Sequence, residues 1–203
     1  MGELRSDIDG NRTVHLCLDM QRLFGPEGPW PTPWLERVMP AVVSLVERAP
    51  SRTVFTRFIP PVSPDEADGM WRSYFRKWRL VTREVVDPQL LELMEPLQRH
   101  VPPAVVLDKA AYSAFSTPGI HGFLRERRID TLIITGAETD VCVLSTILSA
   151  VDLGYRIIVA KDGLCSSADE THDALLGLYA KRFDLQIELA ECDEILACWS
   201  LSS

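Results

Sequence analysis

Several features are scarce or missing in this 203-residue sequence, and each absence excludes a class of protein. No run of about 18 apolar residues occurs, so the sequence predicts no membrane-spanning helix. There are 21 Lys and Arg residues against 29 Asp and Glu, a net charge of −8, and the basic clusters are short. This balance argues against nucleic acid as a partner, because phosphate binding needs a clustered cationic surface. Neither the G-x-G-x-x-G nor the P-loop pattern occurs, so we expect no nucleotide cofactor.

Cysteine and histidine are few, and their positions exclude further classes. The cysteines are odd in number and form no C-x-x-C pair; they are Cys17, Cys142, Cys165, Cys192 and Cys198. The histidines show no metal-ligand spacing, so we expect no metal site; they are His15, His100, His121 and His172. Residues 1–11 are polar and lack the apolar core of a secretion signal. We therefore expect reduced thiols and a cytoplasmic protein.

Short apolar segments alternate with amphipathic ones along the chain, which indicates an α/β fold. Strands are predicted at residues 13–18, 53–58, 104–107, 131–135, 156–160 and 185–189. Helices are predicted at residues 34–49, 120–128, 141–153, 168–182 and 191–196. Strands that are continuously apolar and alternate with helices predict a parallel sheet covered on both faces. We expect one domain over residues 1–203, with the Pro-rich and aromatic residues 60–83 forming a lid or interface insertion.

Polar residues follow several of the predicted strands. In an open α/β sheet, ligands bind beyond the carboxyl ends of the strands. The residues at these ends are Asp19, Lys109, the turn 136–142, and Asp162 with Cys165. Cys142 is predicted in the first turn of a helix capped by Thr139 or Asp140, where the helix dipole favours the thiolate.

A carboxylate, an ammonium and a thiol at one sheet edge can together carry out acyl transfer. Asp19 can act as a general base toward the thiol, and Lys109 can stabilise a thiolate or keep the carboxylate ionised. Each residue taken alone also has a structural interpretation: Cys142 as a small buried hydrophobe, Lys109 as a surface residue, Asp19 as a cap. Cys165 is the rival nucleophile. His172 is either a proton shuttle or a structural residue of its helix.

Three segments, in this order, carry a resemblance to a known family. They read Leu-Asp-Met-Gln-x-x-Phe (18–24), Lys-x-x-Tyr-Ser-Ala-Phe (109–115) and Thr-Gly-Ala-Glu-Thr-Asp-Val-Cys-Val (135–143). They resemble the isochorismatase-like cysteine hydrolases, which include nicotinamidases, N-carbamoylsarcosine amidases and maleamate amidases, over about residues 13–190. The resemblance implies a Rossmann-like three-layer fold with a six-stranded parallel sheet. It also implies catalysis by Asp19, Lys109 and Cys142 through a thioester, and assembly into homodimers or homotetramers.

The resemblance further implies a cis peptide bond between Ala137 and Glu138. That bond would direct the backbone N–H groups of Glu138 and Cys142 at the oxyanion that develops on the substrate. Four residues near the triad in sequence are predicted to contact a small-molecule substrate; they are Gln21, Phe24, Tyr112 and Phe115.

Two departures from the family narrow the predicted activity. Nicotinamidases carry an Asp-x-His pair after the second strand for a metal, whereas residues 56–61 here read Thr-Arg-Phe-Ile-Pro-Pro. Isochorismatases proper cleave a vinyl ether without a cysteine, so Cys142 favours acyl transfer. The predicted function is hydrolysis of a C–N bond in a small amide, ureide or hydrazide. The alternatives are vinyl-ether hydrolysis by Asp19 and Lys109, and a catalytically silent binding protein on the same fold.

Overall fold

The computed structural model describes residues 4–201, so residues 1–3 of the segment considered for a secretion signal lie outside the described part. The strands are β1 (Ile8–Asp9), β2 (Thr13–Leu18), β3 (Thr53–Phe58), β4 (Val105–Lys109), β5 (Thr131–Ala137), β6 (Arg156–Cys165), β7 (Ile187–Ala190) and β8 (Trp199–Ser200). Six of them form one parallel sheet in the order β4-β3-β2-β5-β6-β7, which confirms the predicted six-stranded sheet. The short strands β1 and β8 pair separately and in parallel.

Helices cover both faces of the large sheet. They are α1 (Leu35–Arg48), α2 (Met70–Lys77), α3 (Glu95–Gln98), α4 (Pro118–Glu126), α5 (Leu144–Asp152), α6 (Asp169–Arg182) and α7 (Cys192–Cys198). Successive side chains of a strand point to opposite faces. Leu16 therefore packs in the cluster formed with α4, α5 and α6, whereas Cys17 packs toward α1. No helix among residues 4–201 is long and apolar enough to cross a membrane.

The sheet is longer at the carboxyl ends of two strands than the sequence predicts. β5 continues through Gly136 to Ala137, and β6 continues to Cys165, past the predicted end at residue 160. A register shift after Ile134 allows the second half of β6 to pair again, with Ala137 opposite Cys165. Asp162 therefore lies inside β6 and Cys165 is its last residue, so the prediction that both lie beyond a strand end is wrong.

The strand order places a switch point between β2 and β5. The chain begins the sheet at β2, proceeds to the edge through β3 and β4, and then returns to form β5 on the other side of β2. Because the connections leave these neighbouring strands in opposite directions, a crevice opens beyond their carboxyl ends. Asp19 follows β2 and the turn 138–143 follows β5, so both border this crevice.

Gly136 allows the two strands at the crevice to approach closely. It pairs with Leu18 of β2 and has φ +116°, a conformation that side chains disfavour. A Cβ atom at Gly136 would lie 2.0 Å from the backbone oxygen of Leu18.

We expect Gly136→Ala to destabilise the protein by about 3 kcal/mol or more, because both the backbone conformation and the strand spacing would have to change. Thermal unfolding followed by circular dichroism measures the effect. Gly122→Ala in α4 is the matched control, since a Cβ there meets no atom within 4 Å and alanine favours a helix by about 1 kcal/mol. A melting temperature of Gly136→Ala equal to that of the control would contradict this account.

Candidate active site

Asp19 is held in place by its own backbone and by the neighbouring strand β3. Its φ of +52° lies in the left-handed region, which Asp adopts more readily than most residues. Its N–H donates to Thr56 O at 3.1 Å, and its Oδ1 accepts from Thr56 Oγ1 at 2.6 Å. The side chain is fully buried. These contacts fix one carboxylate oxygen and leave Oδ2 directed at the centre of the crevice.

Lys109 is the last residue of β4 and extends beneath the end of β3. It pairs with Phe58 in the strand register, and its Nζ lies 5.3 Å from the centre of the Phe58 ring. Nζ has three polar neighbours: Asp19 Oδ2 at 2.7 Å, Ala111 O at 3.0 Å and Cys142 Sγ at 3.4 Å. Asp19 Oδ2 and the Lys109 ammonium form a close ion pair, and the remaining lone pairs of Oδ2 can accept a proton.

Cys142 lies in a π-helical turn, Thr139–Val143, that precedes α5. The predicted caps are wrong, because Glu138 occupies the cap position and neither candidate hydroxyl nor carboxylate caps this turn. Thr139 Oγ1 instead donates to Cys165 O at 3.2 Å, and Asp140 accepts from Ser166 and Thr171 hydroxyls. π-helical turns are often found at functional sites. Here the turn places Sγ toward Lys109.

The ionisation of the thiol differs from the sequence expectation of a thiolate. Burial raises the pKa of Cys142 well above its usual value, the charge of Asp19 raises it further, and Lys109 lowers it. Burial lowers the pKa of Lys109, but the nearby Asp19 and Cys142 outweigh that effect and the net shift is upward. The raised pKa of Cys142 favours the protonated thiol beside the Lys109 ammonium.

The peptide bond between Ala137 and Glu138 is cis, as the resemblance implies. Glu138 and Cys142 both border one cavity next to the cis peptide bond. Their role as an oxyanion hole stays a prediction.

A cavity of about 380 Å³ opens over Cys142. Most of its wall is aromatic or proline, with few polar groups; the lining residues are Phe24, Pro29, Trp30, Pro31, Phe58, Tyr74, Trp78, Tyr112, Glu138, Val141, Cys142 and Ser167. Cys142 is 5% exposed, whereas Asp19 and the Lys109 side chain are covered. A ligand in this cavity therefore meets the sulfur first.

The four predicted substrate contacts divide into two pairs. Phe24 and Tyr112 line the cavity, and their contact with substrate stays a prediction. Gln21 does not line it, because its buried amide donates to Phe58 O and Leu91 O and accepts from Phe58 N. Phe115 lies on the opposite side of the sheet, where its ring stacks on Tyr155 at 5.7 Å. The expected substrate contact is thus corrected for Gln21 and Phe115, which have structural contacts instead.

The rival nucleophile Cys165 is not placed for catalysis. It is fully buried, does not line the cavity, and its Sγ lies 3.9 Å from Gly136 O. Burial strongly raises the pKa of its thiol. His172 is also buried, with Nδ1 2.9 Å from Thr139 Oγ1 and its ring against Trp34, which fits the structural interpretation of this histidine.

Trp30 is the main cavity residue that the sequence analysis missed. Its ring centre lies 5.6 Å from Trp78, 6.0 Å from Phe24, 6.2 Å from Phe58 and 6.3 Å from Tyr74. It lies in a Gly- and Pro-rich loop without periodicity, so no secondary-structure pattern indicates its position. The signal available was a tryptophan eleven residues after Asp19, in the loop that follows β2.

Residues 56–61, where the sequence departs from the resemblance, take part in an ion-pair cluster. Arg57 pairs with Asp108 at 2.8 Å and with Glu92 at 2.7 Å. Within residues 4–201, no three His, Cys, Asp or Glu side chains come together as a metal-binding group.

Comparison with known proteins identifies the family of this chain. The family model of the isochorismatase domain matches residues 13–191. A solved structure described as a cysteine hydrolase from Pseudomonas syringae pv. phaseolicola 1448A has the same fold, with a TM-score of 0.81 at 23% identity over 97% of this chain and 96% of that one.

Curated relatives have different degrees of overlap. A probable inactive nicotinamidase of Arabidopsis thaliana is 27% identical over 80% of this chain and 85% of its own length. An N-carbamoylsarcosine amidase of Arthrobacter sp is 27% identical over 75% of this chain and 59% of its own length. An uncharacterized isochorismatase family protein of Bacillus subtilis (strain 168) is 36% identical, but the match covers 43% of this chain and 48% of that protein.

Proposed function

The chain belongs to the isochorismatase family, and from this premise we propose that it is a cysteine hydrolase that cleaves a C–N bond in small amides, ureides or hydrazides. One observation carries the proposal: Lys109 Nζ lies 2.7 Å from Asp19 Oδ2 and 3.4 Å from Cys142 Sγ, beside a cavity that the sulfur borders. The name of one relative, an N-carbamoylsarcosine amidase, supports C–N cleavage.

In the first half of the reaction, Cys142 Sγ attacks the substrate carbonyl as its proton moves to Asp19 Oδ2. The backbone N–H groups of Glu138 and Cys142 stabilise the oxyanion, a contribution of about 10²–10³ in rate for one such donor. Asp19 then gives the proton to the leaving nitrogen, the C–N bond breaks, and an amine or ammonia departs. The acyl group stays on sulfur as a thioester.

In the second half, water replaces the amine. Asp19 takes a proton from water, whose oxygen attacks the thioester carbonyl, and the C–S bond breaks. The carboxylic acid leaves and the proton returns to Cys142. Lys109 keeps its positive charge throughout, which lowers the energy of both the carboxylate and the developing thiolate.

The segment 60–83 contributes to the cavity wall in this proposal. Tyr74 of α2 and Trp78 beyond it line the cavity, while Phe75 is buried against Phe58 at a ring distance of 6.5 Å. We propose that this segment acts as a lid over the substrate. Homo-oligomeric assembly and a cytoplasmic location stay predictions.

Hydroxylamine provides the test of the thioester. With a panel of primary amides, ureides and hydrazides, we expect hydroxylamine to take the acyl group from sulfur and give a hydroxamate, because it is a better nucleophile than water. The measurement is hydroxamate together with the leaving group (ammonia, urea or hydrazine, according to the substrate) by mass spectrometry, with Cys142→Ala as the blank. Release of the leaving group without hydroxamate would argue against the covalent route. Absence of both over the whole panel would favour the vinyl-ether hydrolase or the silent binding protein.

A further inference from the structure

The cavity over Cys142 contains one carboxylate but no positive side chain. Glu138 is half-buried and lines the cavity, and no Lys or Arg is among the lining residues. The ammonium of Lys109, which is the one cation of the triad, is already paired with the Asp19 carboxylate. A substrate with a carboxylate would therefore meet repulsion and no counter-charge in this cavity.

Within residues 4–201, Glu138 has no ion-pair partner. Its Oε1 accepts from Thr32 Oγ1 and its Oε2 accepts from Ser167 Oγ, both at 3.2 Å, so two hydroxyls hold the carboxylate in position. Burial raises the pKa of Glu138, and the charge of Asp140 adds to that rise. A partly buried carboxylate without a counter-ion is costly, and a ligand that supplies the positive charge removes that cost.

The aromatic wall fits a compact group better than a flat ring. Trp30 meets Trp78 at 78°, Tyr74 at 53° and Phe58 at 48°, so the rings enclose the cavity in several orientations. Phe24 and Trp30 are nearly parallel, but their centres are 6.0 Å apart. A flat ring inserted between them would need the two flanking rings to be about 7 Å apart, which is twice the usual contact distance. Aromatic walls of this kind attract quaternary ammonium groups through cation–π interactions.

We propose that the substrate carries a compact alkylammonium group, which the cavity recognises by its aromatic rings and by the Glu138 carboxylate. This inference rests on the proposed function only for the position of the scissile amide next to Cys142. The ammonium and the amide would occupy one cavity of about 380 Å³, which fits a molecule of a few carbon atoms between the two groups.

Three amides of nearly equal size test the charge preference. Betaine amide carries a trimethylammonium group, 3,3-dimethylbutanamide replaces it by a neutral tert-butyl group, and malonamate carries a carboxylate. We expect kcat/KM to be about tenfold higher for betaine amide than for the neutral isostere, and malonamate to be the poorest of the three. Equal values for the charged and neutral amides, or a preference for malonamate, would overturn the proposal.

Two variants separate recognition of the cation from other roles of the same residues. Glu138→Gln keeps an oxygen acceptor and removes the charge, so we expect it to lower the ratio of kcat/KM for betaine amide to kcat/KM for the neutral isostere about tenfold. Trp78→Leu should likewise reduce the ratio between the two amides. Glu47→Gln is the matched control, since Glu47 lies on the surface beside Arg99. An equal loss with both amides in Glu138→Gln would indicate a structural role and contradict the assignment.

A binding measurement keeps this inference distinct from the proposed function. Tetramethylammonium chloride has no amide, so its effect on tryptophan fluorescence of the whole protein reports on the cavity without any turnover. We expect saturable quenching that is weakened in Glu138→Gln and retained in Cys142→Ala. Quenching without turnover of any amide would leave the cation site standing and refute the hydrolase. Turnover of neutral amides without tetramethylammonium binding would support the hydrolase and refute the cation site.

Discussion

Replacing Cys142 by alanine is expected to lower the hydrolysis of any amide substrate by about 10⁴-fold or more, because the covalent route loses its nucleophile. The change should leave the fold intact. Sγ borders an existing cavity, and Lys109 Nζ keeps its other two contacts, Asp19 Oδ2 and Ala111 O. Initial rates with the best amide of the panel measure the loss, and circular dichroism checks the fold.

Cys165→Ala is the control for this substitution. Its thiol is buried beyond the cavity wall and touches neither Lys109 nor Asp19, so activity should stay within a few-fold of wild type. The deletion of one buried sulfur should cost about 1 kcal/mol of stability, which unfolding in urea measures. If Cys142→Ala retained the activity, the nucleophile would have to be another group or the chemistry would have to proceed without one. Loss of activity only in Cys165→Ala would transfer the role to that residue.

The convergence of Asp19, Lys109 and Cys142 could be predicted from sequence because their positions follow from the sheet. Asp19 directly follows β2, Lys109 ends β4, and Cys142 lies in the turn after β5; the apolar runs of these strands are easily recognised. Parallel strands place their carboxyl ends at one edge, so three distant segments meet there. The same reasoning located the edge of the sheet at which the site lies, but it did not predict the ionisation of Cys142. The ionisation depends on burial by loops, which local sequence patterns do not reveal.

Much of the cavity wall could not be predicted for the same reason. Trp30 belongs to an irregular loop and Trp78 immediately follows the end of α2, so their places at the cavity are set by packing rather than by any repeat. Phe115 was predicted to contact substrate but does not line the cavity. It is near Lys109 in sequence, yet the chain turns at residues 113–116 and places the Phe115 ring on the other face of the sheet. Closeness in sequence to a catalytic residue therefore predicts little about substrate contact.

Lys109→Met is expected to lower both the stability and the activity of the protein. Lys109 and Asp19 form an ion pair whose side chains are 1% and 0% exposed, so removing the ammonium leaves a buried carboxylate without a counter-charge. Breaking a buried pair in this way typically costs roughly 3–5 kcal/mol. Activity should fall by about 10³-fold or more, because the thiolate also loses the cation that lowers the pKa of Cys142. Urea unfolding and initial rates with the best amide measure the two effects.

The double variant Asp19→Asn with Lys109→Met separates charge from packing. Methionine retains an apolar stem against Phe58, and asparagine tolerates the left-handed conformation that Asp19 adopts. With both charges removed, stability should recover to within about 1–2 kcal/mol of wild type, since replacing a buried ion pair by neutral groups is often nearly neutral. Activity should not recover, because no base remains to accept the thiol proton. A double variant as unstable as Lys109→Met would mean that the lysine contributes through packing rather than charge. The three side chains would then not form the proton-transfer unit on which the mechanism depends.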